Sequence, residues 1–398
     1  MQQFDVAVIG AGAAGMMCAA VAAQRGRSVV LIDHATVLAE KIRISGGGRC
    51  NFTNRQVLPE NFISANPHFC KSALASYTPQ DFIDLMRRHG IAWHEKHKGQ
   101  LFCDDSSESI IEMLRVECDQ GGVQWRMPCE VKEVLREESA GTTVFTVNTS
   151  TGPILASNLV VATGGLAIPQ LGATDFGLKL ARQFGLKVIE PRPALVPLTF
   201  DAQAWAPFGA LAGVALQATV SAGPGRRAQQ FLEDVLFTHR GLSGPGILQI
   251  SSYWQPGEPI LLDLAPGQDL SAKLVEAKVG GKQQLGTLLS SLWPKRLAEQ
   301  WLGDQATLRL ADAPDRVLKD LAQRIQAWSL VPSGTAGYKK AEVMRGGVDT
   351  RGLDQRSMQA RNVPGLHFIG ETVDVTGWLG GYNFQWAWAS GVACGRSL

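Results

Sequence analysis

The stretches FDVAVIGAGAAG (residues 4–15), MMCAAVAAQRGR (16–27) and SVVLID (28–33) decide the fold. Phe4–Ile9 is a short β-branched run that predicts a buried strand. Residues 10–15 fit G-x-G-x-x-G. Residues 13–25 are rich in Ala and Met, predict a tightly packed helix, and stop at Gly26. Ser28–Ile32 predicts a second strand that ends on Asp33. Strand, glycine turn, helix and strand form a βαβ unit in which each part has a physical task. Gly10 allows a tight turn. Gly12, lacking Cβ, lets a pyrophosphate approach the backbone at Ala13 and Ala14. Gly15 lets the helix sit close to the strand. The helix start offers N–H groups and partial positive charge to phosphates. Asp33 lies 23 positions beyond Gly10, near the usual ~20. A carboxylate there accepts hydrogen bonds from ribose hydroxyls, and His34 follows beside it.

The chain has 398 residues, 45% hydrophobic and 19% charged, enough for two or three domains. The net charge of +2 gives no sign of general nucleic-acid affinity. The 7 cysteines contain no C-x-x-C pair, which argues against structural zinc, a disulfide scaffold or a redox dithiol. No metal is expected. Reduced thiols suit a cytoplasmic protein. Val6–Ala23 is uncharged, but glycines at nucleotide-motif spacing interrupt it and no basic residue leads it. It is expected to be strand and helix, not a signal peptide or membrane span.

Further along, Lys41 to Asn54 reads KIRISGGGRCNFTN. Three consecutive glycines hold no regular structure cheaply. With Lys41, Arg43 and Arg49 around them they suit a loop laid on an anionic ligand. Thr78-Pro79 predicts a helix start, and Asp105 with Glu108 predicts another. Strands are expected at 123–126, 130–135, 143–148 and 154–162. The last runs into the small-residue turn Thr163-Gly164-Gly165. Pro191, Pro193 and Pro197 predict a linker. Beyond it an inserted module is expected over 191–337, mainly β to 268 and mainly helical from 269. Strands are read there at 195–200, 214–220, 230–237 and 260–264. Gly223–Ala228 reads as a hairpin turn. The dinucleotide-binding fold would then comprise 1–190 and 338–398, with the insert over its ligand face. Gly370, Glu371, Asp374 and Gly380-Gly381-Tyr382-Asn383, followed by a helix to Cys394, repeat the logic of the amino terminus.

These segments, with Phe237–Pro245, together resemble the bacterial two-dinucleotide-binding-domain flavoproteins known as NAD(P)/FAD-dependent oxidoreductases, including aminoacetone-oxidase-like proteins. The resemblance spans essentially the whole chain. It implies an α/β, Rossmann-like FAD-binding domain of glutathione-reductase type. It also implies FAD on Gly10, Gly12, Ala13, Ala14, Gly15, Asp33 and His34, with Val131 at the adenine. Lys41, Ser45, Gly46, Gly47, Arg49, Cys50 and Asn51 would line the flavin or its phosphates. Thr163, Gly164 and Gly165 would touch it through main chain. Gly370, Glu371 and Asp374 would hold the diphosphate or ribityl chain, and Gly380, Gly381, Tyr382 and Asn383 the pyrimidine edge. The sequence departs from the family at Cys103, where Pro is expected, in 173–177, which lacks a glycine, and at Met344, where Thr is common.

The expected chemistry is hydride transfer between a small organic substrate and flavin N5. NAD(P)H, docking transiently, or O₂ would be the second redox partner. No catalytic acid or base is assigned. His239 is weighed as a proton donor against an ordinary loop role, and Cys50 as a redox thiol against a buried one. Trp378, Trp386 and Trp388 are weighed as a substrate wall against core packing. A flavin-bearing redox sensor without turnover is the rival. A nucleic-acid role, as in flavin-dependent RNA-modifying relatives of the fold, is set aside on the near-neutral charge.

Overall fold

A computed structural model describes residues 2–139, 142–225, 228–279 and 282–398. The chain divides into two units, one of Met1–Arg192 with Val343–Leu398 and one of Pro193–Glu342.

In the first unit the opening βαβ forms as read: strand β1 (Gln2–Ile9), helix α1 (Ala13–Gln24) and strand β2 (Val29–Ile32). Strand β1 lies between β2 and the long strand Gly152–Val161, parallel to both. Gln124–Arg126 extends the sheet beyond β2. The long strand changes neighbour along its far side: residues 152–156 pair antiparallel with Thr142–Thr149, and 159–161 pair parallel with Leu366–Phe368. Register puts Ile9 opposite both Ile32 and Val161, and Val161 opposite Phe368. Arg126 also lies opposite Ile32, so five parallel strands end on one line, and their following loops leave from one edge. In open α/β sheets that edge is where ligands bind.

Helix α1 is buried on nearly every side, which its Ala-rich sequence permits. The carboxy-terminal helix, Tyr382–Ser397, packs along it at glycine contacts. A Cβ on Gly391 would lie 2.7 Å from the Ala14 carbonyl oxygen, and one on Gly395 would lie 2.8 Å from that of Cys18. Trp386 and Trp388 are buried in this packing, so they are core, not a substrate wall.

Several local readings need correction. Thr78 does cap its helix, with reciprocal bonds to Asp81. The helix Glu108–Gln120, however, is preceded by Ser107 rather than capped by Asp105, and the Ser107 hydroxyl donates to the Arg43 carbonyl at 2.8 Å. The segment read as a proline linker contains the strand Val188–Ala194, paired with Val343–Val348. Proline is tolerated on such a narrow, edge-rich ladder. The expected strand 195–200 shortens to Leu198–Thr199, because Leu195 takes a left-handed φ of +48° and its N–H bonds the Ser252 hydroxyl.

The second unit carries a seven-stranded sheet in the order 328–330, 260–263, 215–222, 229–238, 241–243, 198–199, 334–335. Ala222 lies opposite Gln229, so 223–228 is the hairpin connection; Arg226 and Arg227 lie outside the described residues. Helices occupy 270–277, 285–290, 295–302 and 315–326. The chain then returns to the sheet as Trp328–Leu330 and Gly334–Thr335, so the later part of the module is not helical to its end.

Two predictions follow from this packing. Gly391→Val should destabilise the protein by about 1–3 kcal/mol through overpacking against α1, read from the denaturation midpoint. Gly209→Ala, where a Cβ would meet nothing within 4 Å, should stay within about 0.5 kcal/mol. The second concerns His367, buried in the Leu366–Phe368 strand. Its Nδ1 is 3.0 Å from the Ser357 carbonyl oxygen and its Nε2 has no partner among the described residues. Burial lowers its pKa from 6.5 to about 4. The unfolded chain therefore takes up a proton that the folded chain refuses. Stability should be complete above pH 6.5 and fall between 6.5 and 4, by up to about 3 kcal/mol. In His367→Gln this slope should vanish, and an unchanged slope would refute the assignment.

Candidate functional site

The first loop at the sheet edge is set by two glycines that admit no side chain. A Cβ on Gly15 would lie 1.8 Å from the Gly10 carbonyl oxygen, and one on Gly10 would lie 2.4 Å from that of Ala162. Gly12 differs: a Cβ there would meet nothing within 4 Å. It starts α1 without a side-chain cap. The Asp33 carboxylate ties the loop to the end of β2, accepting from Ala11 N at 2.7 Å and Ala35 N at 2.8 Å. His34 points away to the Gly172 carbonyl, at 3.1 Å. Val131 opens its strand two residues after Cys129, whose N–H donates to the Asp33 carbonyl at 2.6 Å.

The glycine-rich segment is a compact turn. Gly46, Gly47 and Gly48 all take left-handed φ of +57°, +68° and +85°, a conformation that excludes most side chains. The Ser45 carbonyl accepts from both Gly48 N and Cys50 N at 3.0 Å. Arg49 is exposed and makes no ion pair among the described residues. Lys41 instead reaches across the chain to Glu371, Nζ to Oε2 at 2.8 Å. The other Glu371 oxygen accepts from Met344 N at 2.7 Å. Glu371 is thus a strut between three segments. Cys50 is fully buried, and burial raises its thiol far above the ordinary range; a Ser45 hydrogen bond opposes this and nearby Cys103 adds to it. A thiol held protonated is a poor redox nucleophile, so the redox role weighed for Cys50 is dropped.

The mid-chain turn closes against the carboxy-terminal segment. Gly164, at φ +73°, faces open space, whereas Gly165 abuts Glu371 and Met344. The Thr163 hydroxyl points toward Gly177 and has no hydrogen-bond partner among the described residues. Gly370, at φ +64°, approaches Ala14; its N–H donates to Ser390 Oγ at 3.0 Å and its carbonyl accepts from Trp386 Nε1 at 2.9 Å. Buried Asp374 accepts from Ala65 N at 2.8 Å. Burial raises its pKa, against that bond and nearby Arg345. Asp374 therefore fixes the 64–66 loop.

Gly380 and Gly381, at φ +115° and +93°, lead into the last helix. A Cβ on Gly381 would lie 2.3 Å from the Thr53 carbonyl. Asn51, with its amide oriented to satisfy its neighbours, accepts from Gly381 N at 3.2 Å. Asn54 Nδ2 donates to the Gly380 carbonyl at 3.1 Å. Asn383 spends its side chain on Gly377 N and O, at 2.8 and 3.0 Å. Tyr382 is buried edge-on to Phe62 and Trp378. His239 is exposed at the turn after Gln229–Thr238, where Thr238 Oγ1 orders the turn by donating to the Gly241 carbonyl at 2.9 Å.

The predicted glycine, Asp33, Lys41–Asn51, 163–165 and 370–383 residues thus share one unit and, apart from outward-turned His34, are linked by direct contacts. The Lys41–Glu371 tie and the Asn54 bridge escaped the sequence reading because no local spacing signals them. Open space at Gly12, a helix start without a side-chain cap and a free Arg49 fit an extended dinucleotide with a pyrophosphate at α1. No three acidic, His or Cys side chains converge as metal ligands among the described residues, and no described helix is long and apolar enough to cross a membrane.

This is a Rossmann-like FAD-binding fold of the oxidoreductase class. The chain belongs to the family described as HI0933-like protein Rossmann domain, which matches residues 4–397. It is 51% identical to the ribosomal RNA dihydrouridine synthase of Escherichia coli, covering 100% of this chain and 98% of that one. It is 47% identical to the protein of that name in Haemophilus influenzae, covering 98% and 97%. A 3-dehydro-bile acid delta(4,6)-reductase from Clostridium scindens is 28% identical over 98% of each chain. Among solved structures, a 3-ketosteroid delta1-dehydrogenase from Sterolibacterium denitrificans aligns over 100% of this chain and 99% of its own, with a TM-score of 0.54 and 12% identity, sharing the fold. Two expectations are corrected. The two relatives near half identity carry the rRNA synthase name and not that of an aminoacetone oxidase. That name also overturns the expectation of no nucleic-acid partner; net charge sums over the whole surface and misses local patches.

Gly12→Val should leave secondary structure intact and abolish retained flavin, read from visible absorbance of the purified protein. Gly15→Val, forced against the Gly10 carbonyl, should instead lose the fold. Full flavin content in Gly12→Val would show that nothing binds there.

Proposed function

We propose that the protein is an FAD-dependent reductase that converts a uridine of ribosomal RNA to dihydrouridine. What supports this is identity of about half the residues, end to end, with a protein named for that product. A more distant full-length relative is also named a reductase.

When bound, the flavin supplies a hydride to the uracil C5–C6 double bond. The chain's own residues bind and orient. The start of α1 presents N–H groups to the pyrophosphate over Gly12, and Asp33 has lone pairs left for a ribose hydroxyl. Ser45–Asn51 and the backbone of 370–374 would line the remaining length. Gly380–Asn383, at the start of the last helix, would hold the pyrimidine edge of the ring, where the helix's partial positive charge would favour the reduced, anionic form. Reduction consumes a hydride and a further proton for each uridine, two electrons and two protons in all, so the second partner is a reductant rather than O₂. NADPH or NADH fits that need and would dock transiently, since the chain has one clear nucleotide fingerprint. The relatives bear enzyme names, and no observation favours the sensor reading.

The test is direct. Purified protein with NADH or NADPH and ribosomal RNA from a strain lacking the gene should form dihydrouridine, detected by nucleoside mass spectrometry. RNA from that strain should lack one dihydrouridine that the wild-type gene restores. Absence of product with either nicotinamide, from protein carrying full flavin, would overturn the reading.

A further inference from the structure

In the second unit, helix Ala202–Gly209 is fastened to its sheet by aromatic rings. Trp205 lies flat on Phe200, with ring centres 4.6 Å apart and planes 13° from parallel, and it also meets Phe208 and Phe237. Phe208 continues to Trp301 and Trp328. Trp205 and Phe237 are buried, whereas Phe200 and Phe208 are only half-buried. The outer face of the helix is Ala202, Gln203, Ala204, Ala206 and Pro207, all exposed and uncharged.

A cation stands at each end of this helix. Beside its start is the turn Thr238-His239-Arg240-Gly241. Trp205 Nε1 donates to the Thr238 carbonyl at 2.9 Å, and Phe200 N donates to the Arg240 carbonyl at 3.1 Å. Gly241 is pressed so close that a Cβ there would lie 2.1 Å from the Leu198 carbonyl oxygen. The backbone of the turn is thus fixed, and its tip, His239 and Arg240, is exposed. The Arg240 guanidinium makes no hydrogen bond or ion pair among the described residues. Beyond the other end, exposed Arg296 donates to the Ala210 carbonyl. That acceptor is neutral, so Arg296 keeps its charge. The carboxylate nearest it on the same helix, Glu299, pairs with Lys295 at 3.6 Å. From Phe200 to Val214 the one acidic residue is Asp201, which caps the helix by accepting from Gln203 N at 2.9 Å and Ala204 N at 3.2 Å.

Cations that follow phosphates and rings that stack bases are the two ingredients of a surface for single-stranded nucleic acid. A helix of 8 residues spans about 12 Å, so the two arginines meet different phosphates of one strand. We propose that Phe200, Arg240, the outer face of helix Ala202–Gly209 and Arg296 together dock a single-stranded segment of the ribosomal RNA. The arginines neutralise phosphates and Phe200 stacks a base. The inference rests on the rRNA reading above. Phosphate contacts set position and register and carry no sequence information, so the choice of uridine is left to the flavin site.

The test compares Arg240→Gln/Arg296→Gln with Arg316→Gln/Lys319→Gln, which removes the same charge from helix Asp315–Gln326. Glutamine keeps a donor for the Ala210 carbonyl. Binding of protein-free ribosomal RNA is measured across salt, with flavin content, thermal midpoint and dihydrouridine formation in parallel. The first variant should keep full flavin, midpoint and kcat, raise KM for RNA about tenfold, and lower the salt slope by roughly 1.4, at ~0.7 per phosphate. Arg240→Lys/Arg296→Lys should restore most of the affinity, because a point charge serves a phosphate. Phe200→Leu should weaken binding about tenfold at an unchanged slope. The α-helical control should match wild type. Equal loss in the glutamine variant and the control, or unchanged affinity in the glutamine variant while wild type forms dihydrouridine, overturns the docking surface alone. A loss that accompanies a lowered midpoint and is not restored by lysine is a folding defect and overturns it too. Loss of binding to assembled ribosomal subunits but not to protein-free RNA assigns the face to a protein partner, against the proposal. A wild-type protein that neither binds nor reduces the RNA removes the functional reading beneath it.

Discussion

The architecture depends on how closely α1 can approach the carbonyl of Gly10. Gly15 sits where any Cβ would overlap that oxygen, so the helix meets the strand without a side chain between them. Close seating brings the first N–H groups of α1 to the line on which β1, β2, Gly152–Val161 and Leu366–Phe368 end. Moving the helix outward by one methyl group would displace its positive end from the edge where those loops converge. The same logic recurs on its other side, where Gly391 and Gly395 let the last helix lie against α1.

This second contact joins the two ends of the chain. The last helix is held from below by Trp388 Nε1 on the Phe52 carbonyl at 2.8 Å and by Thr53 Oγ1 on Gln385 at 2.6 Å. Both partners belong to the strand that follows the glycine-rich turn. Gly381 then fits against Thr53 only because it lacks a side chain. Lys41 and Glu371, 330 positions apart, close the circuit from the other direction. The pair is only partly exposed, and Glu371 also accepts from Met344 N, so removing one partner leaves the other poorly satisfied.

What could be read from the sequence is what local spacing encodes. Gly10, Gly12, Gly15 and Asp33 lie within one βαβ unit, and their tasks follow from covalent distance and missing Cβ atoms. The glycine pair before the last helix is legible for the same reason. What could not be read is set by tertiary partners. Nothing near Glu371 announces that its carboxylate braces Lys41 and Met344 N. Nothing near Asn54 announces a bridge between two loops. Pro191 and Pro193 look like a linker because proline usually breaks ladders, yet here they sit in a strand with few bonds to lose. Asp105 looked like a cap because Asp often is one, but Ser107 takes the position and turns its hydroxyl to Arg43.

The misreading of the partner has a similar origin. A net charge of +2 describes a far field, and salt screens that field within ~8 Å at physiological ionic strength. A nucleic-acid strand in contact senses only the charges beneath it. Many of the acidic residues in this protein are already engaged at short range: Glu371 with Lys41, Glu95 with Arg55, Asp104 with His94, Asp349 with Arg351. Each such pair cancels locally. Balance over the whole chain is therefore compatible with a basic patch a few residues wide.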